Sequence, residues 1–293
     1  MSRTKILLQT TIKFDEDDWH IGRFSLLRQH LESLKDEDGE ELYEVVARNR
    51  EEDNAGNDPI LSNLGSSDFD EIWLFALDTG DGLSKSDCEG VTKFRQRGGG
   101  ILATRDHEDM GTSLCTLGGV GKAHYFNSKQ NDPREDRNQR DDNATKNIDF
   151  PNYHSGANGD YQKIEVIEPV HELLKKSDGS TIEYFPAHPH EGGIGKPEDD
   201  DSASVIAKGK SLTTENKFNL LVAFEKSSDQ HGNNLGSAVA ESSFHHLVDY
   251  NWDTTMGCPT FLEEPPGNEV KESPEKLEDI KTYVANLAKW LKP

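Results

Sequence analysis

The sequence predicts an α/β protein built on a parallel, doubly wound sheet. Strand-like and helix-like segments alternate along the first third of the 293 residues, which is the pattern that such a sheet requires. The run 71–77 is apolar almost throughout, as in a strand that is buried on both faces. Hydrophobic residues make up only 32% of the chain, but they cluster into periodic runs, which indicates a folded core.

Four strands and two helices are predicted in the first third of the chain. The strands are predicted where β-forming residues are concentrated, at 5–12, 43–47, 71–77 and 101–104. The first helix carries apolar residues at helical spacing, namely Phe24, Leu27, Leu31 and Leu34. The second helix carries Leu83, Val91 and Phe94, and the glycines at 98–100 end it.

Strands return in the second half, and a helix closes the chain. The predicted strands are 163–166, 204–207, 219–224 and 238–242. In the last helix, Ser273 is the expected N-cap and Pro274 the first helical residue. The apolar face of this helix consists of Leu277, Ile280, Val284, Leu287 and Leu291. We expect a single domain over 1–293.

Residues 124–160 interrupt the alternation of strands and helices. This polar, acidic stretch lacks apolar periodicity but contains scattered aromatic residues, Tyr153 among them. A loop of this length inside a domain is usually either functional or disordered. Two interpretations therefore stay open, a flexible acidic insertion and a lid that covers a site.

The charge of the chain argues against nucleic acid as a partner. There are 55 Asp and Glu residues against 32 Lys and Arg residues, which gives a net charge of −23. Such acidity is typical of adaptation for solubility or for a salty cytoplasm. No apolar run approaches the length of a membrane span, and the amino terminus does not resemble a signal sequence. We therefore expect a cytoplasmic protein without a membrane partner.

The three cysteines, Cys88, Cys115 and Cys258, indicate neither a disulfide framework nor a structural zinc site. Their number is odd, they are far apart and they form no CxxC pair, which fits a reducing compartment. Cys88 and Cys258 have no adjacent base, and Cys115 is expected to be buried and structural. The sequence also lacks the glycine-rich motifs that bind dinucleotides or nucleoside triphosphates.

Histidine beside carboxylate recurs where the predicted strands end. In open α/β sheets, ligands bind at the carboxyl ends of the parallel strands. The candidate residues at these ends are Asp78, Thr104, Arg105, Asp106, His107, Glu108, His245, His246 and Asp249. A histidine in this setting acts as a general base or binds a metal ion.

A further cluster, His188, His190 and Glu191, is the candidate site for a divalent metal ion. The spacing of His188 and His190 would place both rings on one side of an extended segment. His107 or His245 would complete the site together with a carboxylate. Because no HExxH or comparable motif is present, hydrogen-bonded histidines in a polar cleft are the alternative, and the sequence requires no cofactor.

Two segments of the chain resemble the class I glutamine-amidotransferase-like superfamily, and in particular its trehalose-utilisation (ThuA-like) branch. The first is 69–111, with an acidic and apolar strand, a helix that starts near Leu83-Ser84, a glycine cluster and a strand that ends in a polar turn. The second is Ser243-Phe244-His245-His246, which stands where amidotransferases carry Phe-His-Pro-Glu.

The resemblance implies a flavodoxin-like three-layer α/β/α sandwich with a mostly parallel sheet. His245 then matches the histidine of the catalytic triad, while His246 and Leu247 replace the Pro and Glu. The nucleophile position falls on Thr104, or Arg105 takes the place of the ThuA-like histidine, so that the glutaminase cysteine is missing. Glutamine hydrolysis is therefore not implied, whereas a homodimer is.

Two functions remain open for this fold. The first is a hydrolase acting on a small polar, carbohydrate-like molecule. In it, His245 or His107 acts as the base, Asp106 and Glu108 orient that base, and Arg105 holds negative charge. The second is an inactive ligand-binding or assembly module on the same fold. The expected contacts to a small-molecule ligand are His246, Asp249, Tyr153, Trp252 and Asp78.

Overall fold

The computed structural model describes residues 3–77, 82–111, 115–124, 148 and 152–293. The strands are, in chain order, β1 (Thr4–Thr10), β2 (Tyr43–Arg48), β3 (Glu71–Phe75), β4 (Gly100–Thr104), β5 (Tyr161–Lys163), β6 (Glu165–Val166), β7 (Tyr184–Pro186), β8 (Ala203–Lys210), β9 (Lys217–Phe224), β10 (Ser227–Ser228), β11 (Asn234–Leu235) and β12 (Ala238–Glu241). The α-helices are α1 (Ser25–Ser33), α2 (Lys85–Gln96), α3 (Asp249–Trp252), α4 (Glu269–Glu272) and α5 (Leu277–Leu291).

The main sheet has eight strands in the order β2-β1-β3-β4-β12-β9-β8-β6. The first five strands in this order are parallel, and β9, β8 and β6 continue the sheet in antiparallel pairing. Strand β12, late in the chain, therefore lies between β4 and β9. The remaining described strands form two small antiparallel pairs, β5 with β7 and β10 with β11.

Both faces of the sheet are covered, because side chains alternate between two cores. Leu8, Trp73 and Leu102 pack on the face that carries α1 and α5. Leu7 and Ile101 pack on the opposite face, with α2 and the 3-10 turns at 117–124. This alternation along doubly buried strands produces the three layers that the sequence predicts.

Two details differ from the sequence-based expectations, and a third expectation falls mostly outside the described residues. The predicted strand 163–166 is two strands, since the chain leaves β5 and joins the edge of the main sheet as β6. Ser273 makes no side-chain cap hydrogen bond, because a 3-10 turn, Pro274–Lys276, precedes α5. Of the insertion 124–160, residues 125–147 and 149–151 lie outside the described residues, whereas 152–160 are mostly buried.

The expectation that the cysteines are unpaired is wrong for two of them. Cys88 on α2 and Cys115 form a disulfide, while Cys258 is free. The fold brings the first two together across a separation of 27 residues, which spacing alone does not reveal. In the part of the chain that the structure describes, no helix is both long and apolar enough to cross a membrane.

Candidate functional site

The candidate site lies where two neighbouring parallel strands end. Thr104 of β4 pairs with Glu241 of β12, so the segments that follow these strands leave the sheet side by side. The N–H of Arg105 donates to the carbonyl of Glu241, and the N–H of Phe244 donates to the carbonyl of Arg105. This pairing places Asp106, from the first segment, beside the histidines of the second.

A third segment, 187–192, closes over the two strand ends. The N–H of Gly192 donates to the carbonyl of Ser242. A Cβ atom at Gly192 would lie 2.2 Å from the carbonyl oxygen of Asp106, so only glycine permits this close approach. The segment thereby carries His188 and His190 to the end of β4.

Three histidines face the carboxylate of Asp106. Its Oδ1 lies 3.4 Å from Nε2 of His188, and its Oδ2 lies 3.6 Å from Nε2 of both His107 and His245. The rings of His188 and His245 stack, with centroids 3.6 Å apart. One ligand atom from each of Asp106, His188 and His245 lies within 4.8 Å of the others. Ring nitrogens and carboxylate oxygens thus converge on one buried point.

Several polar atoms of this cluster have no hydrogen-bond partner among the described residues. They are Oδ2 of Asp106, Nδ1 of His107, Nε2 of His188 and Nδ1 of His245. A buried polar atom without a partner costs about 1–3 kcal/mol. Such atoms are few in native structures, so their concentration at one place indicates a site rather than a packing core.

Burial keeps these imidazoles neutral. It lowers the pKa of His188 and of His245 well below the usual value, and the neighbouring histidines act in the same direction. Burial also lowers the pKa of His107, although the charge of Asp106 opposes it. A neutral imidazole offers one lone pair, which accepts a proton or binds a cation.

His190 lies at the rim of the cluster and is paired on both sides. Its Nε2 is 2.8 Å from Oε1 of Glu264, and its Nδ1 is 3.2 Å from Oδ1 of Asn152. The hydrogen bond from His190 lowers the pKa of Glu264. The ring of His190 is 5.6 Å from that of His107, so the two side chains are neighbours.

Glu191 does not face the predicted metal position. Its carboxylate is fully buried, lies 3.0 Å from Nε2 of His246 and accepts hydrogen bonds from Ser155 and Ser242. His246 also contacts Glu241. The set that converges is therefore Asp106, His188 and His245, not His188, His190 and Glu191.

Residues at the end of β4 have structural contacts. The fully buried guanidinium of Arg105 donates to the carbonyls of His124 and Glu108, and so braces the loop. Glu108 adopts a left-handed φ of 53° in this loop. The hydroxyl of Thr104 accepts from the N–H of Ala76. These contacts give Arg105 a structural role, and Thr104 is fully buried, so its hydroxyl is not exposed as a nucleophile would be.

The predicted ligand contacts also serve the fold. Asp249 accepts from the N–H groups of Ser25 and Leu26, and thus caps α1. The indole of Trp252 donates to the carbonyl of His246. Tyr153 is buried and stacks on Phe218, with ring centroids 4.9 Å apart. Asp78 lies outside the described residues.

Sequence patterns missed four residues that shape the site. Asn158 bonds to His188, Ser243 donates to Oδ1 of Asp106 at 2.6 Å, and Asn152 and Glu264 hold His190. Only Ser243 carried a usable signal, because it precedes His245 and caps the turn. The other three come from distant segments that only the fold brings together.

A cavity of about 1240 Å³ lies elsewhere, beside the amino ends of β1 and β2. Its lining includes Thr4, Tyr43 and Asn286, and not the histidines. Convergent buried titratable groups indicate chemistry better than volume does, so we assign the site to the cluster around Asp106.

Comparison with known proteins finds similarity in structure only. No protein-family model and no curated protein matches the sequence. The glutaminase domain of Trypanosoma brucei CTPS with bound acivicin has 12% identity and a TM-score of 0.49, covering 98% of this chain and 94% of that chain. A ThuA-like protein from Parabacteroides merdae has 13% identity and a TM-score of 0.47, covering 99% and 90%. Another from Bacteroides uniformis has 11% identity and a TM-score of 0.44, covering 99% and 91%.

The similar structures are of the two kinds that the sequence resemblance names, a glutaminase domain and ThuA-like proteins. At these identities and TM-scores, the similarities carry no argument about substrate or chemistry. In fold, the chain is a three-layer α/β/α protein that resembles amidotransferase-like and ThuA-like proteins.

Proposed function

We propose that the chain is a hydrolase acting on a small polar molecule, with its catalytic centre at Asp106, His107, His188 and His245. The observation that carries the proposal is the convergence of three imidazoles on one buried carboxylate, with unpartnered polar atoms among the described residues. Hydrolysis needs a group that takes a proton from water, and such a cluster supplies several.

His107 is the best placed of these groups to act as the base. Its side chain is 17% exposed, against 2% for His188 and 3% for His245, although its Nδ1 atom is buried, so water must enter the site to reach that atom. Its Nε2 faces Asp106, which orients the ring, and its Nδ1 carries the lone pair. Nδ1 takes a proton from water, and the water oxygen bonds to the electrophilic carbon of the substrate.

The same histidine supplies the proton that the leaving group needs. As the bond between the carbon and the leaving group breaks, the electron pair goes to the leaving group, and His107 passes to it the proton taken from water. This transfer restores the neutral ring of His107. Glu264 and Asn152 hold His190 beside His107.

The surroundings favour a neutral, hydroxyl-rich substrate. Amide and carboxylate side chains, Asn152, Asn158 and Glu264, surround the histidines and match hydroxyl groups as hydrogen-bond partners. The net charge of −23 repels anions from the protein. Uncharged carbohydrate-like molecules are therefore the substrate class that we propose.

The test is a hydrolysis screen with matched variants. Wild-type protein is assayed on neutral nitrophenyl glycosides, sugar lactones and short esters, beside His107→Ala and the control His30→Ala, whose ring bonds to a carbonyl of α5. We expect turnover of one class, a loss of about 100- to 10,000-fold in kcat/KM for His107→Ala, and no loss for the control. Ligand binding without turnover would instead identify an inactive binding module. A His107→Ala variant with the same kcat/KM as wild type would show that His107 is not the base.

A further inference from the structure

We propose that Asp106, His188 and His245 bind one divalent transition-metal ion of the zinc type, with a fourth position open to water beside His107. The inference rests on the proposed function for its catalytic meaning, because the ion would lie at the same centre. Binding of the ion can be measured without any substrate, so the two proposals can fail separately.

The spacing of the polar atoms is too long for direct hydrogen bonds. Nε2 of His188 is 3.4 Å from Oδ1 of Asp106, and Nε2 of His245 is 3.6 Å from Oδ2. Charge-assisted hydrogen bonds between such groups are about 2.7–2.9 Å long. One ligand atom from each residue lies within 4.8 Å of the others, and small side-chain movements would bring these atoms to the separation of about 3.3 Å in a tetrahedral site.

The hydrogen bond at the far side of His188 points to the same conclusion. Nδ1 of His188 lies 3.0 Å from Oδ1 of Asn158, and with this oxygen as the acceptor, Nδ1 is assigned the proton and Nε2 the lone pair. That lone pair faces the carboxylate of Asp106, an acceptor facing an acceptor. A cation between the two atoms removes the repulsion, and Asn158 then has the outer role that metal-bound histidines commonly show.

Ser243 supports the carboxylate in a comparable way. Its hydroxyl donates to Oδ1 of Asp106 at 2.6 Å, which fixes the orientation of the side chain. A hydrogen-bonded carboxylate is the usual arrangement in metal sites, and the partner contributes to affinity. The rings of His188 and His245 lie nearly parallel, with centroids 3.6 Å apart, so one of them must turn about its side-chain bonds for both Nε2 lone pairs to meet at one ion.

The donor set selects the class of ion. Two imidazole nitrogens and one carboxylate oxygen suit zinc and its neighbours, whereas magnesium and calcium prefer oxygen ligands alone. Three protein ligands with one open position are typical of catalytic rather than structural zinc sites. An ion so placed lowers the pKa of bound water, and His107 would take the proton from that water.

The inference is tested by titrating chelator-treated, untagged protein with cobalt(II), whose visible absorption reports a four-coordinate site. We expect binding of one equivalent by wild type. His188→Gln and His245→Gln are expected to weaken binding by more than about 100-fold, and Ser243→Ala by about 10- to 100-fold, as for an outer partner. The control His30→Ala should bind like wild type, and circular dichroism checks the fold of each variant.

Wild-type protein that binds no stoichiometric cobalt or zinc would overturn the inference, even if no variant folds. Unchanged binding by both His188→Gln and His245→Gln would also overturn it. Hydrolysis that persists in the metal-free protein would contradict a catalytic role for the ion and support the proposed function. Binding of one equivalent by a protein that hydrolyses none of the substrates would support the ion site and contradict the proposed hydrolase activity.

Discussion

His246 is a buried charge held between two buried carboxylates. Its Nδ1 lies 2.8 Å from Glu241 and its Nε2 lies 3.0 Å from Glu191, and none of the three side chains is exposed. Burial alone would lower the pKa of His246, but the two carboxylates raise it to about 10, so the ring is charged at neutral pH. The group joins the end of β12 to the segment that carries His188 and His190.

Replacing His246 by Ala is expected to destabilise the protein by about 3–5 kcal/mol, because it leaves two buried carboxylates without a counter-charge. Urea denaturation of wild type and variant measures the difference. His246→Gln, which keeps most of the volume and one donor but not the charge, should fall between them. A loss below about 1 kcal/mol for the Ala variant would show that the charge is not needed.

Among single residues, the sequence predicted the site residues that follow strands but not the residues that hydrogen-bond to the site histidines. Asp106, His107 and His245 were predictable because the carboxyl ends of β4 and β12 are adjacent. Asn158 and Glu264 were not, since nothing in their local sequence marks them as neighbours of histidine. Asp249 and Trp252 were predicted to contact a ligand, but they serve the fold instead. Acidic and aromatic residues near a site also cap helices and fill cores, and local sequence does not distinguish these roles.

Among the structural elements, the segment 187–192 connects the parts of the site. It is fixed by an exchange of backbone hydrogen bonds between Tyr153 and Glu191 and by the bond from Gly192 to Ser242. Residues of the former insertion, 152–158, therefore form one wall of the site. Most of that insertion, 125–147 and 149–151, lies outside the described residues, so both interpretations of it stay open.

Gly192→Ala is expected to lower both stability and cobalt affinity. Its Cβ atom would lie 2.2 Å from the carbonyl oxygen of Asp106, and overpacking of this kind costs about 1–3 kcal/mol. Gly90→Ala is the matched control, because its Cβ atom would lie 2.0 Å from the carbonyl oxygen of Leu61, away from the site. Denaturation and cobalt titration of both variants separate the effects: both should lose stability, and only Gly192→Ala should lose cobalt affinity. Equal affinities would contradict the role given to the segment.

The helices whose apolar residues recur at helical spacing could be predicted from the sequence. The apolar spacing that indicated α1, α2 and α5 reports burial of one helix face, which local sequence encodes. The division of 163–166 into β5 and β6 was not predictable, because it depends on which sheet each half joins. Tertiary pairing, rather than strand propensity, decides such a boundary.

The net charge of the molecule predicts how its thermal stability depends on salt. With a net charge of −23, the folded state is destabilised by self-repulsion. Raising KCl from about 0.1 M to about 1 M shortens the Debye length from about 10 Å to about 3 Å. We therefore expect the thermal midpoint to rise over this range. Sodium chloride at equal ionic strength should act alike, and a flat or falling midpoint would show that repulsion is unimportant.

The disulfide changes the basis for placing the protein in a compartment. The expectation of a cytoplasmic location rested partly on unpaired cysteines, and the pairing of Cys88 with Cys115 removes that support. Disulfides persist mainly in oxidising environments. The bond also encloses β4 and the loop with Asp106 and His107, so it restrains the segment that carries half of the site.

The position of β12 bears on how the protein is made. A ribosome delivers β1 to β4 early, but the neighbour of β4 in the finished sheet starts only at residue 238. Until then the nascent chain carries an open, apolar strand edge, which is a template for aggregation and for chaperone binding. His245 follows shortly after β12, so the chain completes the cluster around Asp106 in the same late folding step that closes this edge.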